Sequence, residues 1–139
     1  MKMMIEGVNP PIRKTIGSCG YDLYCPMDVT IVSTSWTKID LGIQLDKGDI
    51  PEGYCGLIMP RSSMGMKYGL RLSNTVGVID SDYTMDTIKA ALKIDCDRPC
   101  VTIEKNERIL QMVIVPFGVM PTEIAPTEER KGGIGSTGL

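Results

Sequence analysis

Thr87-Ile88-Lys89-Ala90-Ala91-Leu92-Lys93-Ile94-Asp95 is the stretch whose reading decides the fold class. Its Leu92-Lys93-Ile94 portion alternates apolar and polar, as a half-buried antiparallel strand does. Working outward, the chain repeats this theme. Short runs rich in Val and Ile are broken by Gly, Pro, Asp and Asn about every 8–12 residues, the rhythm of a sandwich or barrel. Strands are expected at Gly20–Tyr24, Val29–Val32, Trp36–Asp40, Gln44–Leu45, Gly53–Met59, Leu70–Leu72 and Val76–Ile79. Others follow at Thr87–Asp95, Val101–Ile103, Ile109–Pro116 and Met120–Ile124. Ser62-Ser63-Met64-Gly65-Met66-Lys67-Tyr68 reads as a helix of one or two turns, limited by Gly65.

The 139 residues suit one domain with its own core. Met1-Lys2-Met3-Met4-Ile5 meets Glu6-Gly7 at once, so no secretion signal is expected. The longest apolar stretch, Ile109 to Val119, is interrupted by Gln111 and Pro116, so no membrane span is expected either. A net charge of -2 gives no general attraction to nucleic acid or anionic lipid. A polyanionic ligand would need a local cluster of donors. The five cysteines, an odd number without a signal peptide, read as free thiols in a reducing compartment. The expected location is the cytoplasm, or the host cytoplasm or nucleus for a viral source. Cys96 and Cys100 flank a turn at Arg98-Pro99, with no second pair to complete a zinc site. The chain has no histidine. That removes Ser-His-Asp and Cys-His hydrolases, HExxH proteases and His-containing zinc deaminases. A catalytic base must then be a carboxylate, a lysine or a metal-bound water.

Four segments carry chemistry. Gly132-Gly133-Ile134-Gly135-Ser136-Thr137-Gly138, preceded by Arg130-Lys131, combines glycines, hydroxyls and cations as an anion-binding loop does. The same composition also suits a solvated terminus. Pro60-Arg61-Ser62-Ser63-Met64-Gly65 follows an apolar strand and offers a second set of donors, although Arg61 equally suits a structural ion pair. Asn74-Thr75-Val76-Gly77-Val78-Ile79-Asp80-Ser81-Asp82-Tyr83 brings two carboxylates to a strand end, beside a tyrosine with a planar face for a sugar or base. It also reads as an ordinary Asp-rich hairpin. Asp22, between Tyr21 and Leu23, requires a partner if buried.

Taken in order, these segments resemble the five motifs of the trimeric dUTPase family. The first matches at Ser18-Cys19-Gly20-Tyr21-Asp22-Leu23 and the second from Gly56 to Ser63, continuing to Gly69-Leu70. The third runs from Asn74 to Tyr83. The fourth is Glu107-Arg108-Ile109-Leu110-Gln111, and the fifth is the glycine-rich terminus. The resemblance implies an all-β, jelly-roll-like distorted β-barrel over residues 1–127. Residues 128–139 would form a mobile arm that closes over a site of a homotrimer. It implies hydrolysis of dUTP to dUMP and pyrophosphate with Mg²⁺, without nucleic-acid or membrane partners.

By the same resemblance, Asp80 activates the attacking water, Ser62 donates near the leaving oxygen and Gln111 contacts phosphate. Asp22 orients Mg²⁺-bound water. Tyr83 packs on deoxyribose, Asn74 sits near the base and water pocket, and the backbone after Tyr83 reads uracil. Arg61, Ser63, Gly65, Gly77, Val78, Met85 and Lys89 are further substrate-binding positions. Arg130, Lys131, Gly135, Ser136 and Thr137 would clamp phosphates. Three departures stand out. Thr84-Met85-Asp86-Thr87-Ile88 is one residue longer than the family pattern, Ile134 replaces a stacking phenylalanine, and Arg130 lies one position nearer to it. Alternatives left open are a dCTP deaminase-like or bifunctional enzyme of the same fold, and a non-catalytic nucleotide-binding protein.

Overall fold

The computed structural model describes residues 1–132. In chain order its elements are β1 (Lys2–Met3), β2 (Gly20–Tyr24), β3 (Val29–Val32), β4 (Thr37–Asp40), β5 (Ile43–Gln44) and β6 (Tyr54–Pro60). Then come α1 (Ser62–Tyr68), β7 (Arg71–Leu72), β8 (Gly77–Asp80), β9 (Lys89–Lys93), β10 (Cys100–Ile103) and β11 (Arg108–Pro116). The fold is all-β with one short helix, as expected. The strands pair antiparallel in sheets ordered β2-β11-β6-β8, β4-β9-β7, β10-β3 and β1-β5, which do not close into one continuous barrel among the described residues.

Alternation does what it predicts at the deciding stretch. Leu92 and Ile94 are fully buried, while Lys93 between them is partly exposed. The ladder itself is shorter than Thr87–Asp95. Ile88 and Ile94 bond instead to the strands of other hairpins, through Ile88 N–H to the Ile43 carbonyl at 2.8 Å and Ile94 N–H to the Val32 carbonyl at 3.2 Å. These bonds stitch the sheets together around a core containing Leu23, Ile31, Leu41, Ile50, Ile103 and Ile109. Burying each such side chain stabilises the fold by roughly 1.5–3 kcal/mol.

The expected strand Met120–Ile124 is absent. β11 ends at Pro116, its pairing carries on only through Phe117 N–H to the Gly53 carbonyl at 3.0 Å, and Glu123 N–H closes a turn on the Met120 carbonyl at 3.0 Å. Apolar side chains alone do not hold a strand without a ladder partner; Met120 and Ile124 are exposed. The two-residue β1 is too short to leave a pattern in the sequence. Elsewhere the expected ends move by a residue or two.

Two local features prepare the functional region. The register of β11 against β2 shifts between Arg108 and Leu110, a β-bulge. It lets Ile109 and Leu110 both face the core, and beyond it Gln111 stands opposite Asp22. The helix α1 ends at Gly69, whose φ of 58° is left-handed and whose N–H returns to the Gly65 carbonyl. A Cβ there would lie 2.2 Å from the Asp95 carbonyl oxygen, so only glycine fits.

Candidate active site

The charged face of the β2-β11-β6 sheet forms the first groove. Strand register puts Asp22 on β2 beside Gln111 on β11, and Gln111 beside Met59 on β6. Asp22 is nearly buried, and both its oxygens are used. Arg61 Nε donates to Oδ1 at 3.0 Å and Arg108 Nη1 to Oδ2 at 3.3 Å. A buried carboxylate needs such partners. The two guanidiniums thereby become fixed at the groove wall. Gln111 Nε2 donates to the Pro60 carbonyl at 3.3 Å, which ties it to the end of β6. Its Oε1 would lie 2.8 Å from a Cβ at position 20, so Gly20 makes room for it. The opposite wall is the loop before β2. Arg13 Nη1 donates to the Ile16 and Ser18 carbonyls at 2.9 and 3.0 Å, and the Thr15 and Ser18 hydroxyls meet at 2.7 Å. The groove of about 490 Å³ is lined by Lys14, Arg61 and Arg108 against the single carboxylate Asp22, with Ser18, Ser62 and Gln111 adding neutral donors. This set suits a phosphate chain.

The second groove, of about 700 Å³, lies between β8 and β9. The strand β8 pairs only with β6, so its other edge is without a strand partner among the described residues. β7 covers β9 only at Leu92 and Lys93. Ser73 N–H extends that cover to the Ala91 carbonyl at 2.9 Å, so the slot is bordered by the unpaired edge of β8 and the first residues of β9. Asn74, Gly77, Val78, Asp80, Tyr83 and Lys89 line it, together with Arg130. Asp80, at the end of β8, has an exposed side chain. Tyr83 is 7% exposed and donates its hydroxyl to the Thr87 carbonyl at 2.9 Å. Burial pushes its phenol above the usual value.

Among the described residues of the terminal segment, Arg130 is the charged side chain that is largely covered, at 12% exposure. Its guanidinium pairs with Asp80 and, at 2.8 Å, with Asp82, and it sits 5.7 Å from the Tyr83 ring. The hydrogen bond to Asp82 raises its pKa above the ordinary arginine value. Arg130, expected at the phosphates, lies in the β8–β9 groove of its own chain in this structure. Beyond Tyr83, Lys89 Nζ donates to Asp86 at 2.8 Å. That bond lowers the Asp86 pKa and raises that of Lys89.

The expected residues thus fall into two groups. Asp22, Arg61, Ser62 and Gln111 meet in the cationic groove, and Asn74, Gly77, Val78, Asp80, Tyr83, Lys89 and Arg130 in the slot. No described residue lines both. Ser63 and Gly65 are on α1 and line neither groove, Met85 is exposed in the loop between β8 and β9, and Lys131 is exposed. Ile134, Gly135, Ser136 and Thr137 lie outside the described residues. Sequence reasoning passed over Arg108, although the adjacent apolar pair Ile109-Leu110 breaks alternation and signals the bulge that aims it. Lys38 and Asp40, which also line the slot, carried no signal because β4 brings them there from elsewhere in the sequence.

No group of three or more His, Cys, Asp or Glu side chains suited to a metal ion occurs among the described residues. No described helix is long and apolar enough to cross a membrane.

A family model described as dUTPase matches residues 7–138. The deoxyuridine 5'-triphosphate nucleotidohydrolase of Hydrogenobaculum sp. is 38% identical over 144 residues, covering 100% of this chain and 96% of that protein. The protein of the same name from Paramecium bursaria Chlorella virus 1 is 33% identical over 143 residues, covering 100% and 96%. Among solved structures, the dUTPase of Streptococcus mutans is 30% identical with a TM-score of 0.71, covering 84% of this chain and 95% of that one. A dUTPase from phage phi11 of S. aureus shares the fold at a TM-score of 0.73 and 24% identity, over 92% of this chain and 95% of its own.

Proposed function

The chain belongs to the dUTPase family and is a dUTP diphosphatase, and on that premise we propose that its two grooves divide the reaction between neighbouring subunits of a homotrimer. One observation carries this reading. Among the described residues the cationic groove and the slot share no lining residue, so one chain offers phosphate donors in one place and a nucleoside slot with its carboxylate in another. A trimer would place the slot of one subunit against the cationic groove of the next. Residues 128–139 would then act as an arm over a neighbouring site.

In the slot, uracil meets the unpaired edge of β8 and the backbone at the start of β9, and deoxyribose packs on Tyr83. Asp80 accepts a proton from a water whose oxygen bonds to the α-phosphorus. The bond from that phosphorus to the α–β bridging oxygen breaks, and the electron pair leaves with pyrophosphate. Ser62 donates to this oxygen as charge develops there. Arg61, Arg108 and Gln111 hold the phosphate chain. Arg130 must leave Asp80 before water can take its place.

The donor set also fits the expected Mg²⁺. This ion keeps several waters and uses one or two carboxylates together with substrate phosphates, so a single carboxylate beside a phosphate groove suffices. Asp22 would hold it through water, and the ion would neutralise charge on the triphosphate.

The test is a panel of dUTP, dCTP, dTTP and UTP with Mg²⁺, scored for pyrophosphate release. Release confined to dUTP is expected. Absence of release from dUTP overturns the reading, and equal turnover of UTP or dTTP overturns the assigned selection. EDTA should suppress release yet shift the melting temperature by less than about 1 °C. The described carboxylates form no metal cage whose loss would cost folding energy.

A further inference from the structure

The segment between β8 and β9 closes one end of the slot, and residues outside the proposed reaction tie it down. Gln44, on β5, donates Nε2–H to the Thr84 carbonyl at 2.9 Å. Asp40, at the end of β4, accepts the Thr87 hydroxyl at 2.8 Å through Oδ2. Its Oδ1 accepts Gly42 N–H at 2.8 Å, so Asp40 is itself fixed to the turn after β4. That turn is further tied to the β8–β9 segment by Leu41 N–H on the Ile88 carbonyl at 2.9 Å.

Thr87 is the hub. Its N–H donates to Asp86 Oδ1 at 2.7 Å. Its carbonyl accepts from the Tyr83 hydroxyl at 2.9 Å and from Lys89 Nζ at 3.2 Å. Its hydroxyl gives its proton to Asp40 and lies 3.1 Å from Lys89 Nζ. With the backbone of Thr87 engaged internally, the base edge is left to its neighbours. The positions of both the Tyr83 ring and the β9 end of the slot pass through this one residue.

Resting on the diphosphatase reading, we propose that Gln44 and the Asp40–Thr87 pair are specificity-positioning residues. They hold the slot at a width that admits uracil and rejects its 5-methyl counterpart. Gln44 secures the segment at Thr84 and Asp40 secures it at Thr87. A rigid width is what turns one methyl group into discrimination, which pockets express as about 10- to 200-fold. A slot free to widen forfeits that selection while its chemistry, set by Asp80 on β8, stays in place.

The experiment compares kcat and KM for dUTP and dTTP in the full-length protein and three variants. Thr87→Val removes the hydroxyl and keeps the shape. Thr87→Ser restores the hydroxyl, and Gln44→Ala cuts the second tie independently. The expected result is dUTP kcat within about threefold throughout. The dTTP-to-dUTP ratio of kcat/KM should rise about tenfold in Thr87→Val and in Gln44→Ala, through KM for dTTP. Thr87→Ser should return to the parent ratio. An unchanged ratio in both Thr87→Val and Gln44→Ala overturns the inference and leaves the diphosphatase reading standing. A parent protein that accepts dTTP as readily as dUTP overturns it too. Failure of the parent to release pyrophosphate from dUTP instead overturns the reading beneath it.

Discussion

Asp80→Asn lowers the turnover number for dUTP by about 10³-fold, the scale of a lost general base, and leaves the fold intact. Asparagine keeps the size of the side chain and its hydrogen bond to a water, but it cannot take the proton. The Asp80 side chain is 55% exposed and its ion pair with Arg130 is at the rim of the slot. Such pairs contribute about 0–1 kcal/mol, so melting should change little. KM should move by only a few-fold, because the base and sugar contacts do not involve this carboxylate. Pyrophosphate release at saturating dUTP, measured beside a thermal melt, checks both halves. A loss smaller than about tenfold would remove Asp80 from the role of base.

Asp22→Ala is expected to damage stability and turnover together. Asp22 accepts from Arg61 and Arg108, and its removal leaves two neighbouring guanidiniums in a groove with no other carboxylate among its described lining residues. Breaking a fully buried pair costs about 3–5 kcal/mol. The arginines here are 25% and 34% exposed, so solvent screening reduces that to about 2 kcal/mol. For a chain of this size the melting temperature should fall by about 6–8 °C. Turnover should fall at least about tenfold, since freed guanidiniums no longer meet the phosphates in a set position. Scanning calorimetry with steady-state kinetics tests it. An unchanged melt would mean that water satisfies both arginines without Asp22.

What the sequence made legible was whatever obeys a local period. Gly20–Tyr24 and Val29–Val32 appear with the expected ends, and so does the helix at Ser62–Tyr68. Met120–Ile124 shows the converse. Its residues suit a strand, yet strand formation depends on a partner edge, which no local pattern encodes. Asp80 and Ser62 were readable as candidates from their motifs. That they occupy separate grooves was not, because five motifs in a line carry no information about which share a cavity. Arg130 was read as a phosphate ligand from its basic, glycine-rich surroundings. Its pairing with Asp80 and Asp82 depends on how the chain returns from Pro116 across β8, a tertiary event. Lys38 and Asp40 were invisible for the same reason.

The separation of the two grooves has a genetic consequence. Take one allele bearing Asp80→Asn and another bearing Asp22→Ala, each defective alone. In the proposed homotrimer, a ring built from both always has one junction that joins the intact slot of one chain to the intact cationic groove of the other. Every hybrid trimer then carries one sound site and one doubly damaged site. Co-expression of the two defective alleles should therefore restore dUTP hydrolysis that neither supports alone. Two alleles that both damage the slot should not complement.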